Sequence, residues 1–298
     1  MGGSVPAAAC CTCGAPLSEM DSEGFCGGCG RRLKRPDSDH IEVELLSDFA
    51  GVSDRGLRHN RNEDRFAITQ SSDAFAIVVC DGVSMSPDAD EAAQAAVQAT
   101  VETLNEGLAK LEKSTTDLLR AAIRNGSQAV TELGKRKSES PSTTLVAAIL
   151  RQNRVTVGWI GDSRAYWLNG SGAVQLTRDH SWENSAAAQQ AGAEAQRAAN
   201  SHALMRWVGA DAPDFEPEIL EKELRPGGLL LLCSDGLWNY APNSEDMAAL
   251  IASASKPGAT ALAVSRELVE FARAKGGHDN ITAVVLRHSA SEGPANGG

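Results

Sequence analysis

Two short apolar runs end in the same dipeptide, and that repetition constrains the fold most. Phe75-Ala76-Ile77-Val78-Val79-Cys80 leads into Asp81-Gly82. Leu229-Leu230-Leu231-Leu232-Cys233, followed by Ser234, leads into Asp235-Gly236. An uninterrupted apolar run of this length reads as a buried strand. A carboxylate at its end stands on a rigid support, near where solvent begins. The glycine that follows lets the chain turn sharply and brings a carbonyl close to a ligand. Either pair alone reads as an ordinary turn, because Asp-Gly is a common turn dipeptide.

The elements around these runs point to α+β layers. Ser86-Pro87-Asp88 opens a helix, with Ser86 as cap and Pro87 at the first helical position. Ala93, Val97, Val101, Leu104, Leu108 and Leu111 keep helical spacing along it. A second helix carries Leu119, Ile123, Val130 and Leu133 on one face and stops at Gly134. Leu145–Leu150 and Val155–Ile160 flank a turn at Arg151–Arg154, and Ala165–Leu168 continues the meander. Ser181–Asn200 is rich in Ala and Gln and reads as helical in part. A helix over Ala259–Ala274 stops at Gly276-Gly277, and Ile281–Leu286 is the last strand. Hairpins and paired helices argue against an alternating parallel sheet.

Three more acidic positions sit at strand boundaries. Asn62-Glu63-Asp64 precedes the strand Phe66–Thr69, and Gly277-His278-Asp279-Asn280 precedes Ile281–Leu286. Gly161-Asp162-Ser163-Arg164 lies between two strands. If these carboxylates converge, they cannot all stay ionised without cations. Hard oxygen ligands of this kind select magnesium or manganese. Two such ions can activate a water and hold a phosphate for in-line attack.

Seven cysteines occur, and four of them form two Cys-x-x-Cys knuckles, Cys10/Cys13 and Cys26/Cys29. Four thiolates at this spacing read as one structural tetrahedral zinc, with Cys11 left over. So short a segment has almost no core, and metal binding supplies its folding free energy. A charged stretch follows the knuckles. The expected organisation is a zinc-ribbon module at residues 1–30, a linker at 31–44, one main domain at 45–288 and a flexible tail at 289–298. The net charge of −11 argues against a nucleic-acid binder. No apolar run approaches the ~18 residues of a membrane span. Met1–Ala9 lacks the basic start and apolar stretch of a signal peptide, so a cytoplasmic location is expected.

The chain resembles the type 2C, metal-dependent (PPM) serine/threonine protein phosphatases. The resemblance runs in order through Ser53-Asp54-Arg55-Gly56, Asn62-Glu63-Asp64, Val79-Cys80-Asp81-Gly82 and Ser142-Thr143-Thr144. It continues through Gly161-Asp162-Ser163-Arg164-Ala165-Tyr166 and Leu176-Thr177-Arg178-Asp179-His180-Ser181. It ends with Cys233-Ser234-Asp235-Gly236-Leu237-Trp238 and His278-Asp279-Asn280-Ile281-Thr282.

The resemblance implies a four-layer α-β-β-α sandwich of two central antiparallel sheets. It also implies hydrolysis of phosphoserine and phosphothreonine in proteins, opposing serine/threonine kinases, by a monomer holding two Mn²⁺ or Mg²⁺ ions. By matching position, Asp81 bridges the ions, and Asp235 and Asp279 bind the first. Glu63 and the Gly82 carbonyl bind the second, with Asp64 nearby, and Asp162 matches a third, weaker site. Trp182–Gly209 matches a flap that shapes substrate access. Two positions depart from the family pattern. The arginine that grips phosphate is replaced by His59, with Arg58 beside it, and a histidine after the Asp-Gly pair of eukaryotic relatives is replaced by Val83. The first departure keeps a second reading open, a pseudophosphatase serving as a binding or sensor module.

Overall fold

The computed structural model describes residues 13, 15–16, 25–30, 37–71, 73–110, 114–185, 203–212 and 216–288. Cys10, residues 31–36 of the expected linker, residues 186–202 of the expected flap and the tail 289–298 lie outside them.

One antiparallel sheet holds β1 (His40–Leu46), β2 (Phe49–Asp54), β8 (Arg164–Asn169), β9 (Gly172–Gln175), β12 (Gly228–Cys233) and β13 (Ile281–His288). Its order is β1-β2-β13-β12-β8-β9. The other holds β3 (Asp64–Ser71), β4 (Ala74–Asp81), β6 (Leu145–Arg151), β7 (Arg154–Ile160) and β11 (Glu218–Glu223), also antiparallel, in the order β11-β7-β6-β4-β3. Two short strands, β5 (Ser142–Thr143) and β10 (Val208–Gly209), pair beside it. The helices are α1 (Ala89–Lys110), α2 (Thr115–Lys137), α3 (Asp235–Trp238), α4 (Ser244–Ala254) and α5 (Ala261–Ala274).

Three apolar cores separate four layers. Side chains alternate across a strand, so an unbroken apolar strand feeds two cores at once. In β4, Val78 and Cys80 pack with Leu104 and Ile123 of α1 and α2, while Ile77 and Val79 face the other sheet. In β12, Leu231 and Cys233 pack with Val264 and Leu268 of α5, while Leu230 and Leu232 face inward. Phe49, Phe66 and Val284 complete the core between the sheets. The expected α-β-β-α sandwich is what forms. No helix among the described residues is long and apolar enough to cross a membrane.

Four details differ from expectation. The six-stranded sheet begins at His40, ahead of the domain start expected at residue 45, so part of the supposed linker is strand. This first strand, β1, is exposed along most of its length, Val43, Leu45 and Leu46 included, and Glu42 and Glu44 break the apolar run that would mark a buried strand. α1 begins at Ala89, because Ser86 turns its hydroxyl to the Ser142 carbonyl and Asp88 takes φ +50. α2 runs past Gly134 to Lys137 and ends at Ser138 in the left-handed region. Of the helix expected over Ser181–Asn200, the described part is one short 3-10 turn, Trp182–Asn184.

Candidate metal centre

The intersheet core ends in carboxylates. On β4 the inward row Ile77, Val79 continues by alternation to Asp81, and on β3 the row through Phe66 continues to Asp64. The register sets Asp64 directly opposite Asp81. Like charges at such a cross-strand position repel, so both carboxylates cannot stay ionised there without a cation. On the facing sheet β12 leads through Ser234 to Asp235, the first residue of α3. Asp162 follows β7, and Asp279 precedes β13. Asp81, Gly82, Asp162, Asp235 and Asp279 line one cavity of about 150 Å³, with Thr144 and Leu204 on its wall.

The electrostatics agree with a cation site. Burial first, then the Asp64 carboxylate, pushes Asp81 well above the ordinary aspartate range. Burial and the neighbouring Asp162 do the same to Asp235. Burial raises Asp64 to about 6 against the hydrogen bonds that lower it. Asp162 rises to about 7, chiefly by burial and then by Asp179. Burial also raises Glu63. Without cations these groups hold protons that free aspartates lose near pH ~4. Among the described residues, Asp64 Oδ1 and Glu63 Oε2 are buried with no hydrogen-bond partner, although buried polar atoms are nearly always satisfied. An all-oxygen donor set with unsatisfied lone pairs fits Mg²⁺ or Mn²⁺.

A second ring of side chains holds this set. Asp64 Oδ2 accepts from Ser234 Oγ and from Thr282 Oγ1, both at 2.7 Å. Asn280 Oδ1 accepts from the Glu63 amide at 2.7 Å, while its Nδ2 donates to the Arg55 and Arg61 carbonyls. One amide side chain thus fixes the loop 55–63 against the start of β13. Asp81 is pinned through its backbone, with its amide donating to Thr144 Oγ1 at 3.1 Å and its carbonyl accepting from the Thr144 amide at 2.7 Å. Trp238 Nε1 donates to the Asp162 carbonyl, and the Arg164 guanidinium lies 3.7 Å from the Trp238 ring centroid while gripping Asp179. The motifs containing Asn280, Thr144 and Ser234 were visible in sequence. Their tethering roles were not, because each depends on a partner far along the chain.

The two residues proposed to meet phosphate separate. His59 Nε2 lies 3.1 Å from Asp279 Oδ1, whereas Arg58 is exposed and makes no hydrogen bond or ion pair among the described residues. Gly56, at φ +71, breaks the extended path that would alternate the two side chains. His180 accepts the Gly161 amide on Nδ1, meets Glu218 through Nε2, and so orients the loop that carries Asp162. Cys80 and Cys233 are fully buried and belong to the cores.

At the other end of the chain, the Sγ atoms of Cys13, Cys26 and Cys29 lie within 4.8 Å of one another, Cys13 and Cys26 at 3.5 Å. Around a tetrahedral zinc with Zn–S of about 2.3 Å, neighbouring sulfurs stand about 3.8 Å apart. Cys10 lies outside the described residues.

The geometry has close parallels. Residues 55–273 match the family Protein phosphatase 2C. The serine/threonine phosphatase stp of Listeria monocytogenes is 28% identical over 246 residues, spanning 80% of this chain and 95% of that protein. The serine/threonine protein phosphatase PstP of Mycobacterium tuberculosis is 30% identical over 256 residues, which span 82% of this chain and 45% of PstP. The catalytic domain of PstP, solved in complex with two manganese ions, superposes with a TM-score of 0.62 at 26% identity, over 84% of this chain and all of that one. This chain belongs to the protein phosphatase 2C family.

Proposed function

We propose that this protein hydrolyses phosphoserine and phosphothreonine in other proteins at a centre of two divalent cations, manganese or magnesium. The convergence of Asp81, Asp162, Asp235 and Asp279 on one cavity at the mouth of the intersheet core carries this reading. Family membership and the two manganese ions of the PstP catalytic domain support it. Asp81, Asp235 and Asp279 would hold one ion, and Asp81, Glu63 and the Gly82 carbonyl would hold the other, with Asp64 beside them. Asp162 would serve a third, weaker site. Bound cations supply positive charge that neutralises the phosphate and lowers the pKa of water.

The chain's own part is orientation. Ser234 and Thr282 fix Asp64, and Asn280 fixes the backbone that carries Glu63. A side chain bonded to a metal-binding carboxylate sets its direction, and loss of such a partner costs ~10–100-fold in affinity or activity. His59 fits that role toward Asp279 better than the phosphate grip its position suggested. Val83 has no proton to give, so no side chain at that position protonates the leaving group.

In the same reading Cys10, Cys13, Cys26 and Cys29 hold one structural zinc, the protein works on phosphoprotein substrates in the cytoplasm, and it does so as a monomer. Elemental analysis of the purified full chain tests the zinc; none found would remove the ribbon. The activity is tested with p-nitrophenyl phosphate and a phosphothreonine peptide, each with manganese, magnesium and chelator. Turnover with metal and none with chelator is expected. A folded, metal-loaded protein that turns over neither substrate would overturn the reading in favour of a binding module.

A further inference from the structure

A second cavity of about 330 Å³ adjoins the carboxylate site. Val83 and Leu204 line both, so the two spaces are continuous along one wall. Met85, Pro87 and Trp207 complete its apolar lining. The Met85 side chain stands 96% exposed, the most open of the large apolar residues described. An apolar side chain held this far into solvent, in a patch beside an active site, marks a surface that something covers.

The walls of the groove are preformed. The Val83 amide donates to the Ser142 carbonyl at 2.9 Å, and Ser86 Oγ accepts from the Ser142 amide at 3.1 Å. The turn that bears Met85 is therefore tied to β5. The opposite wall is tied to the same strand, because β10, which follows Trp207 directly, pairs with β5. Gly209 allows that approach: a Cβ there would meet Ser142 Oγ at 2.6 Å. Among the described lining residues Asp211 is the one that is charged, and it accepts a hydrogen bond from Trp207 Nε1 at 3.0 Å. The carboxylate is thereby engaged at the groove's edge.

We infer that this groove takes an apolar side chain adjacent to the phosphorylated residue of the substrate, so the enzyme prefers phosphopeptides with a large aliphatic or aromatic neighbour. The inference rests on the phosphatase reading above. With the phosphate at the carboxylates, the neighbouring peptide residue leaves the cavity past Val83 and Leu204 and meets Met85 and Trp207. Backbone already tied in the free protein leaves only the side chains to order on contact. Methionine adapts to differing apolar shapes, so the selection is for apolar bulk and not for one residue type. Discrimination by one apolar pocket of this kind amounts to ~10–200-fold.

The test uses the full chain with manganese and phosphothreonine peptides that differ only in the residues flanking phosphothreonine, carrying Leu, Ser or Lys. The Leu peptide is expected to exceed the Ser peptide about tenfold in kcat/KM. Met85→Ser is expected to bring that ratio close to one, and Trp207→Ala to lower it. A ratio is unaffected by a general loss of active enzyme, and Met85 is exposed enough that its replacement does not disturb folding. Equal turnover of all three peptides by the wild type, preference for Lys, or an intact Leu preference in Met85→Ser would each overturn the groove. Failure to hydrolyse p-nitrophenyl phosphate as well would instead defeat the phosphatase reading, and this inference with it.

Discussion

Asp81-Gly82 and Asp235-Gly236 are the same dipeptide after the same kind of strand, yet their glycines solve different problems. At Gly82 the chain leaves β4 through a bridge to Thr143 and passes under the start of α1; a Cβ there would lie 2.7 Å from the Ala89 carbonyl oxygen. At Gly236 the chain is already helical, and a Cβ would lie 1.9 Å from the Asn280 carbonyl oxygen. The first glycine lets the chain run along the cavity wall beneath the helix. The second lets α3 pack against the turn that leads into β13 and carries Asp279. One sequence signal therefore brings the chain close to a helix on one sheet and close to a turn on the other.

The largest test of that contrast is at the carboxylates, where the two sides should agree. Asp81→Asn and Asp235→Asn should each cut metal-dependent turnover by more than ~100-fold, since loss of partners one shell further out already costs ~10–100-fold. Wild-type-like turnover of p-nitrophenyl phosphate by either variant, with metal bound, would break the assignment.

At the glycines the sides should part. Gly236→Ala must displace the backbone at Asn280 and should cost above ~3 kcal/mol, whereas Gly82→Ala, against the end of a helix, should cost about 1–3 kcal/mol. Denaturant unfolding of the two variants measures this, and the reverse order would show that the helix start is the stiffer neighbour.

The third test treats both sides together through pH. The folded, metal-free protein holds Asp64 near 6 and Asp162 near 7, with Asp81 and Asp235 also raised by burial, while unfolded aspartates titrate near ~3.9. Between those values the folded state binds more protons than the unfolded one. Its stability therefore falls as pH rises from about 4 to about 7. Cations bind the deprotonated carboxylates and remove that penalty. Manganese should raise Tm more at pH 8 than at pH 5, read by calorimetry, with saturation at ~100 Kd worth about 2.7 kcal/mol. A larger shift at pH 5 would contradict the charge argument.

The smallest effect separates His59 from Arg58. His59→Ala should lower activity ~10-fold and weaken manganese binding on the Asp235–Asp279 side, because it removes a partner of Asp279. Arg58→Ala should change little. Titration of activity against manganese for both variants reports this, and a large loss confined to Arg58→Ala would reverse the roles.

Much of this was readable in the sequence because apolar strands announce where they stop. Val78-Val79-Cys80 and Leu231-Leu232-Cys233 marked two strand ends, and the acidic residues beside them named the chemistry. Their meeting was not readable, since it depends on the stacking of two sheets whose strands interleave along the chain. β1 and β11 escaped notice because they are edge strands with exposed or charged faces. Ser86-Pro87 placed the helix start two residues early, because Ser86 bonds Ser142 instead of capping and the helix begins at Ala89. Asn280 was seen as part of a motif, but the carbonyls it ties, at Arg55 and Arg61, lie more than two hundred residues earlier.

Asp81 and Asp235 are carried by different sheets, and what keeps those sheets apart is Ile77, Val79, Leu230, Leu232 and Phe49. Interiors pack like organic crystals, so this slab has a definite thickness. It works as a feeler gauge: it sets the gap across which the two carboxylates face each other, and so the size of ion that would fit between them. Trimming Val79 or Leu232 to alanine narrows the gauge without touching a ligand. The ratio of magnesium to manganese affinity should then shift while every donor atom stays in place.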